Sequence, residues 1–237
     1  MDILKKILVI NGSRNKEGNT QFFISSILNE LKKEYYKIEW LFPQDYTLLP
    51  IYETMNDDYT EETDDIATIK TKILSSDLLI ISSPVYMHAM SSDIKLLLER
   101  LSNWAHTLRL NGKPVVVLST CESNGFNNVI EPLSKIFSKM GGNIVAASNV
   151  SLVNELQDQE KFEEINKIVS ERIYEYINRP PQSNKLIEIT FQAMKEIIEY
   201  RIHSYQSFDY QNFDSEEKYW IDTGLIKEKT FEEFLRK

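Results

Sequence analysis

Between residues 7 and 147 the chain alternates short, uninterrupted apolar runs with helix-period segments, and this alternation constrains the fold more than any other feature. Ile7-Leu8-Val9-Ile10, Lys37 to Phe42, Leu78-Leu79-Ile80-Ile81, Val115-Val116-Val117-Leu118 and Asn143 to Ala147 read as five strands. A strand that is apolar at every position is buried on both faces, which is the habit of parallel strands covered by helices. Asn11-Gly12-Ser13, Pro43 and Ser83-Pro84 end the first three strands, and the turn Asn111-Gly112-Lys113-Pro114 introduces the fourth. Helix faces fall between them: Phe23, Ile24, Ile27, Leu28, Leu31 and Tyr35; Ile66, Ile69, Ile73 and Leu74; Ile94, Leu97, Leu98, Leu101 and Trp104; Leu133, Ile136, Phe137 and Met140. The pattern predicts an α/β, doubly wound, five-stranded parallel sheet in the order 2-1-3-4-5.

From about Leu152 the strand signals stop. Phe162, Ile165, Val169, Ile173 and Tyr176 predict a helix to Asn178, which Arg179-Pro180-Pro181 breaks. A second amphipathic helix runs from Glu188 to Ser204 and carries Phe191, Met194, Ile197 and Ile198. The aromatics Tyr205, Phe208, Tyr210, Phe213, Tyr219 and Trp220 follow. The expected organisation is a sheet domain over residues 1–150 and a helical, aromatic-rich C-terminal extension over 151–237.

Composition narrows the function. The formal net charge of −9 disfavours a nucleic-acid partner, because an acidic surface repels phosphate backbones. A small anion stays possible, since backbone amides hold it without lysines. The lone cysteine, Cys121, leaves no disulfide framework and no cysteine-built zinc or iron–sulfur site. His88, His106 and His203 lack metal-ligand spacing, so no metal is expected. No apolar run approaches the ~18–20 residues that span a bilayer, and the N-terminal apolar stretch is too short for a signal sequence. The expected location is cytoplasmic.

In an open parallel sheet, ligands bind beyond the carboxyl ends of the strands, at the switch point between strands 1 and 3. Three loops lie there. Gly12-Ser13-Arg14-Asn15-Lys16-Glu17-Gly18-Asn19-Thr20 leads straight into a helix. Its glycines permit tight bends, Ser13, Asn19 and Thr20 offer donors, and the helix start adds free N–H groups. It is neither a Walker A loop nor a dinucleotide fingerprint, and it suits a single phosphomonoester. Ser82-Ser83-Pro84-Val85-Tyr86-Met87-His88-Ala89-Met90-Ser91 combines a stiffening Pro84, a stacking Tyr86 and successive amides from Val85 to His88, as a planar heterocycle requires. Ser119-Thr120-Cys121-Glu122-Ser123-Asn124-Gly125-Phe126 is polar and suits a ring edge or a polyol chain.

Taken together, these motifs resemble the NAD(P)H-dependent FMN reductase and multimeric flavodoxin-like family. Gly12-Ser13-Arg14 with Gly18-Asn19-Thr20 matches its phosphate loop. Pro84-Val85-Tyr86, Ser91, Ile94-Lys95 and Glu99-Arg100 match its second signature, and Gly112-Lys113-Pro114 matches its turn before strand four. The resemblance covers about residues 1–150. It implies a flavodoxin-like fold, bound FMN, NADH or NADPH as electron donor, and a homodimer or homotetramer with the flavin near an interface. The implied FMN-binding residues are Ser13, Arg14, Gly18, Asn19, Thr20, Pro84, Val85, Tyr86, Met87, His88, Thr120, Glu122, Ser123 and Gly125. Hydride would pass through the flavin, so no catalytic acid or base is expected, with His88 the one candidate for a further role.

Three departures stand out. Where relatives with iron–sulfur clusters carry a cysteine pair, this chain has Leu49-Pro50-Ile51-Tyr52-Glu53-Thr54. Where the family has small residues after the P-V-Y tyrosine, it has Met87, His88 and Ala89. It also carries the C-terminal extension, whose aromatic density suggests packing against a partner subunit or the flavin pocket. The expected activity is electron transfer from a nicotinamide through FMN to a small-molecule acceptor such as a quinone, a flavin, an azo or nitro compound, or a metabolite. The rivals are a flavodoxin-like electron carrier and a flavin-free interaction protein. Asp57, Asp58, Glu61, Glu62, Asp64 and Asp65 read as a solvated loop whose last acids favour the start of the following helix, and Lys95 and Arg100 as helix-face residues in ion pairs or packing.

Overall fold

The computed structural model describes residues 4–51, 64–204 and 213–237. In chain order its elements are β1 (Lys5–Asn11), α1 (Asn19–Asn29), β2 (Tyr36–Leu41), α2 (Ile66–Leu74), β3 (Leu78–Pro84), α3 (Ser92–Arg100), α4 (Trp104–Thr107), β4 (Pro114–Cys121), α5 (Asn127–Lys139), β5 (Asn143–Ser151), α6 (Gln159–Ile177), α7 (Lys185–Ser204), α8 (Ser215–Asp222) and α9 (Phe231–Leu235). The strands form one parallel sheet in the order β2-β1-β3-β4-β5. This is the flavodoxin-like topology that the alternation predicts.

The continuous apolar runs follow from a sheet covered on both sides. Successive side chains point to opposite faces. Leu8, Ile10, Leu79, Ile81, Val115 and Val117 pack under α2, α3 and α5. Their neighbours Ile7, Val9, Leu78, Ile80, Val116 and Leu118 pack under α1 and α6. Full burial of each such side chain stabilises the fold by roughly 1.5–3 kcal/mol. A third core lies in the extension, where Ile187, Phe191, Ile198, Trp220, Leu225 and Phe231 surround Leu108.

That third core changes the reading of the tail aromatics. Trp220 is fully buried, stacks on Phe191 at 5.5 Å and donates its indole N–H to the His106 carbonyl at 2.8 Å. Phe213 is buried and Tyr219 packs against the same cluster. Trp220 and Tyr219 thus serve a satellite core of their own chain. Tyr205, Phe208 and Tyr210 lie outside the described residues, as do Asp57, Asp58, Glu61 and Glu62. Asp64 favours the start of the helix as expected, but its carboxylate is not solvated. It is buried and paired with Arg100 at 3.0 Å, and it accepts the Ile66 amide at the start of α2. Asp65 accepts the Thr47 amide at 2.7 Å. The two acids tie down the segment after β2 instead of sitting in a solvated loop.

Candidate functional site

The three loops meet at the carboxyl ends of β1, β3 and β4. The Gly12 amide donates to the Ser82 carbonyl at 2.9 Å, and the Val85 amide donates to the Thr120 carbonyl at 2.8 Å. The hydroxyls of Thr20 and Thr120 lie 2.6 Å apart in a buried contact that joins the start of α1 to the end of β4. Loop 1 also presses on α3. A Cβ on Gly12 would overlap Ile94 and come within 2.8 Å of the Ser91 hydroxyl, so only glycine fits there.

Loop 1 is organised by two asparagines. Buried Asn11 accepts the Ser13 amide at 2.9 Å and donates to Gln21 at 3.1 Å. Asn15 accepts the Glu17 amide on its side chain, while its carbonyl takes the Ser13 hydroxyl at 3.2 Å and the Gly18 amide. Helix α1 then begins at Gly18 without a side-chain cap. Among the described residues the amides of Asn19, Thr20 and Gln21 meet no acceptor. The first-turn amides of a helix carry a partial positive charge and need a partner. A phosphate oxygen meets that need, and the hydroxyls of Ser13 and Thr20 lie in the same turn. The donors here are therefore neutral. Lys16 is held by Asp45 at 2.5 Å, and Arg14 makes a two-point pair with Asp93 of α3 at 2.7 and 2.8 Å. Among the fourteen residues implied by resemblance, Arg14 is the one whose side chain is held by an ion pair, while the hydroxyls of Ser13, Thr20 and Thr120 meet partners within the three loops.

Loop 2 is a tight hairpin. Tyr86 and Ala89 exchange both backbone bonds, at 2.9 and 3.0 Å, around Met87 and His88. Met87 (φ 49°) and His88 (φ 57°) are both left-handed. Such a two-residue turn demands positive φ at both positions, which explains small residues there in relatives. Two of the four amides expected to face a ring, those of Val85 and Tyr86, are taken by Thr120 and Ala89. Those of Met87 and His88 have no acceptor among the described residues. Tyr86 and Met87 stand exposed, Met87 at 96%. The His88 ring leans on loop 3, where a Cβ on Gly125 (φ 85°) would lie 2.8 Å from His88 Nδ1. Glu122 and Ser123 are exposed on the same loop.

Cys121 is buried, and burial pushes its thiol pKa up. A protonated thiol is a poor nucleophile, in line with a structural role. Sequence reasoning passed over Gln44. Its amide donates to the Ser13 carbonyl at 3.3 Å, and its own buried oxygen has no partner among the described residues. No periodicity marks such a residue, because it arrives from the loop after β2. A cavity of about 250 Å³ separates it from Asp93 and Leu96. Two larger cavities, of about 600 and 900 Å³, lie away from the three loops, between α2, α4 and α8 and around Tyr36 and Tyr174. The cavity of about 600 Å³ also borders an uncapped helix start, that of α8 at Ser215 and Glu216, but it lies away from the strand ends of the sheet. No group of three metal-ligating side chains occurs among the described residues, and no described helix is long and apolar enough to cross a membrane.

A flavodoxin-like sheet with an uncapped, hydroxyl-lined helix start at its switch point defines a class of proteins that hold a phosphorylated ligand over the strand ends. The chain belongs to the NADPH-dependent FMN reductase family, whose model matches residues 5–157, more than half of the chain. It is 32% identical over 106 residues to a putative NAD(P)H-dependent FMN-containing oxidoreductase of Bacillus subtilis. That match covers 44% of this chain and 54% of the relative, just over half its length. An iron–sulfur flavoprotein of Methanocaldococcus jannaschii is 26% identical over 137 residues, covering 56% of this chain and 71% of that protein. Among solved structures, RosB with a bound 8-demethyl-8-formylriboflavin-5'-phosphate intermediate superposes with a TM-score of 0.64 at 14% identity, covering 89% of this chain and 96% of that one. An apo NADH:FMN oxidoreductase gives 0.56 at 16% identity, covering 74% and 92%. At these identities the structures speak for the fold alone.

Proposed function

We propose that this protein is an NAD(P)H-dependent oxidoreductase that works through bound FMN. The observation that carries the reading is the start of α1. It offers three unpartnered amides and two hydroxyls at the sheet's switch point, inside a family defined by FMN reduction. Residues 1–150 form the FMN-binding unit in this reading, and the helices of 151–237 extend it, with α6 covering the same sheet face as α1.

In the proposed site the open amides of Asn19 and Thr20 hold the phosphate with neutral donors, and Ser13 and Gly18 shape the loop around it through their bonds to Asn11 and Asn15. Arg14 acts at one remove, because its pair with Asp93 pins loop 1 to α3. Pro84, Val85 and Tyr86 flank the ring, and the free amides of Met87 and His88 offer donors to its polar edge. Thr120, Glu122, Ser123 and Gly125 line the opposite side. FMN, when bound, supplies hydride acceptance from a nicotinamide and onward electron transfer. The chain's own part is to fix the ring, offer amides to its developing negative charge and narrow access with Met87 and His88. The acceptor is a small molecule. By the family resemblance the protein is a homo-oligomer, a dimer or a tetramer.

A visible absorption spectrum tests this directly. The expected result is FMN binding with a flavin band that bleaches under NADH or NADPH without oxygen. A protein that stays colourless in excess FMN would overturn the reading, and one that binds FMN but is not reduced by either nicotinamide would be an electron carrier. Asn19→Asp places a carboxylate against the phosphate. Losing a charge-assisted bond costs about 1.5–3 kcal/mol. FMN affinity should therefore fall roughly ten- to hundredfold.

A further inference from the structure

Helix α7 carries two apolar stripes. The inner one, with Ile187, Phe191, Met194, Ile198 and Ile202, packs into the third core. The outer one is Leu186, Ile189, Ala193, Ile197 and Tyr200. Steps of three, four, four and three residues keep these five on one face. All five are exposed: Leu186 at 40%, Ile189 at 56%, Ile197 at 44%, Tyr200 at 75%, and Ala193 with them. A folded monomer needs only the inner stripe. A second apolar stripe about 21 Å long, continuous along one helix, is the kind of surface that marks an interface.

The stripe has the same pattern read in either direction. Ile189 and Ile197 lie four residues to either side of Ala193, and Leu186 and Tyr200 lie seven. In a two-fold contact between antiparallel helices a residue a given distance before the axis faces one the same distance after it, so this spacing sets apolar residues against apolar residues. The smallest side chain, Ala193, falls on the axis, where two helices approach most closely. Charge agrees with the same register. Lys185 and Glu199 lie on one flank of the stripe, eight residues before the axis and six after it. Antiparallel packing brings Lys185 beside Glu199 of the partner subunit, twice by symmetry. Within the chain, Lys185 has no ion pair among the described residues, and Glu199 has only a long 3.8 Å contact with Lys195.

We propose that α7 is a homodimer seam, with two copies of this chain packed antiparallel about a two-fold axis at Ala193. The occupant of the stripe is a second copy of the same helix. This inference does not depend on the flavin assignment, since α7 contributes to none of the three site loops.

Sedimentation velocity on the full-length protein across a concentration series tests it. The wild type should sediment as a dimer or a higher even multimer. Ile189→Asp combined with Ile197→Asp should halve that mass while leaving the circular dichroism spectrum and FMN binding unchanged. Ala193→Cys should give a covalent dimer under mild oxidation, because a residue on the axis meets its own copy and native Cys121 is buried. Lys139→Cys, on the surface of α5, should not. Lys185→Glu should lower the dimer fraction, and adding Glu199→Lys should restore it. A wild type that is monomeric at every concentration overturns the proposal. So does a multimer whose mass ignores the aspartates and whose Ala193→Cys form does not crosslink. Should the aspartate variant fail to fold, the crosslink alone decides.

Discussion

At the amino ends of β1, β3 and β4 the charged groups are consumed by the protein itself, whereas at the carboxyl ends of the same strands donors are left open. On the amino side, Asp77 accepts the Lys6 amide at 2.7 Å and the Lys5 ammonium at 3.1 Å. The Lys113 ammonium turns inward to the carbonyls of Leu74 and Ser76. On the carboxyl side α1 starts uncapped, and two bulky residues sit in left-handed backbone at the hairpin tip. The same sheet thus has a closed end that serves stability and an open end that gives up stability to keep amides available. Left-handed residues occur at the amino end too, Leu108 (φ 45°) and Asn111 (φ 48°) ahead of β4, so what sets the open end apart is the gathering of unmet amides over the strand ends.

The largest effect expected from this contrast lies at the closed end. Burial lowers the Lys113 pKa from 10.5 to about 8, and the nearby Lys6 charge adds to the fall. A lysine whose folded pKa is depressed binds fewer protons in the native state than in the unfolded state between those two values. Stability therefore rises as pH climbs from about 8 towards 10.5. The gap corresponds to roughly 3 kcal/mol at most, with the Asp77 charge, which favours the ammonium, opposing the fall. Urea unfolding of the wild type against Lys113→Met at pH 7.5 and pH 10 should show the wild type gaining relative to the variant. Parallel pH profiles would show that the closed end is not closed.

At the open end, Gly12→Ala forces a Cβ into Ile94 and Ser91. Overpacking of this kind costs about 1–3 kcal/mol. Loop 1 must shift away from α3, so FMN affinity should drop along with thermal stability. A loss of stability without a loss of FMN affinity would separate loop 1 from the site. The smallest effect should be a gain. His88→Gly relieves one left-handed residue, worth about 1 kcal/mol after the entropy cost of glycine. The urea midpoint should rise with an unchanged slope. A fall would mean that the contact between His88 and Gly125 outweighs the strain.

The sheet was legible because its signal is local. Every residue of Leu78–Ile81 is buried, and a run buried on both faces has no polar position to hide. The loops were legible by type. Gly12, Gly18 and Pro84 punctuate strand ends, and Ser13, Asn19 and Thr20 are the donors a phosphate needs. Periodicity gave no sign of Asn11 and Gln44 as props of loop 1, because Asn11 acts through a side-chain bond to the Ser13 amide two residues on and Gln44 arrives from a loop 31 residues away. Met87 and His88 could be read as bulky intruders, but not as the two central residues of a strained hairpin.

What the sequence determined by itself is therefore the strands, the helix faces and the location of the three loops, which follow from short-range patterns of apolar and turn residues, while the strand order follows from the rule for doubly wound sheets. Only the tertiary structure decided which charges are spent within the chain. Arg14 reads as a phosphate ligand in its motif and is found on Asp93, 79 residues away. Asp64 reads as a solvated acid and is found buried against Arg100, 36 residues away. Trp220 reads as an interface aromatic and is found at the centre of a third core. Long side chains choose partners across the fold, at separations no local pattern encodes, and the choice is set by which element packs beside which.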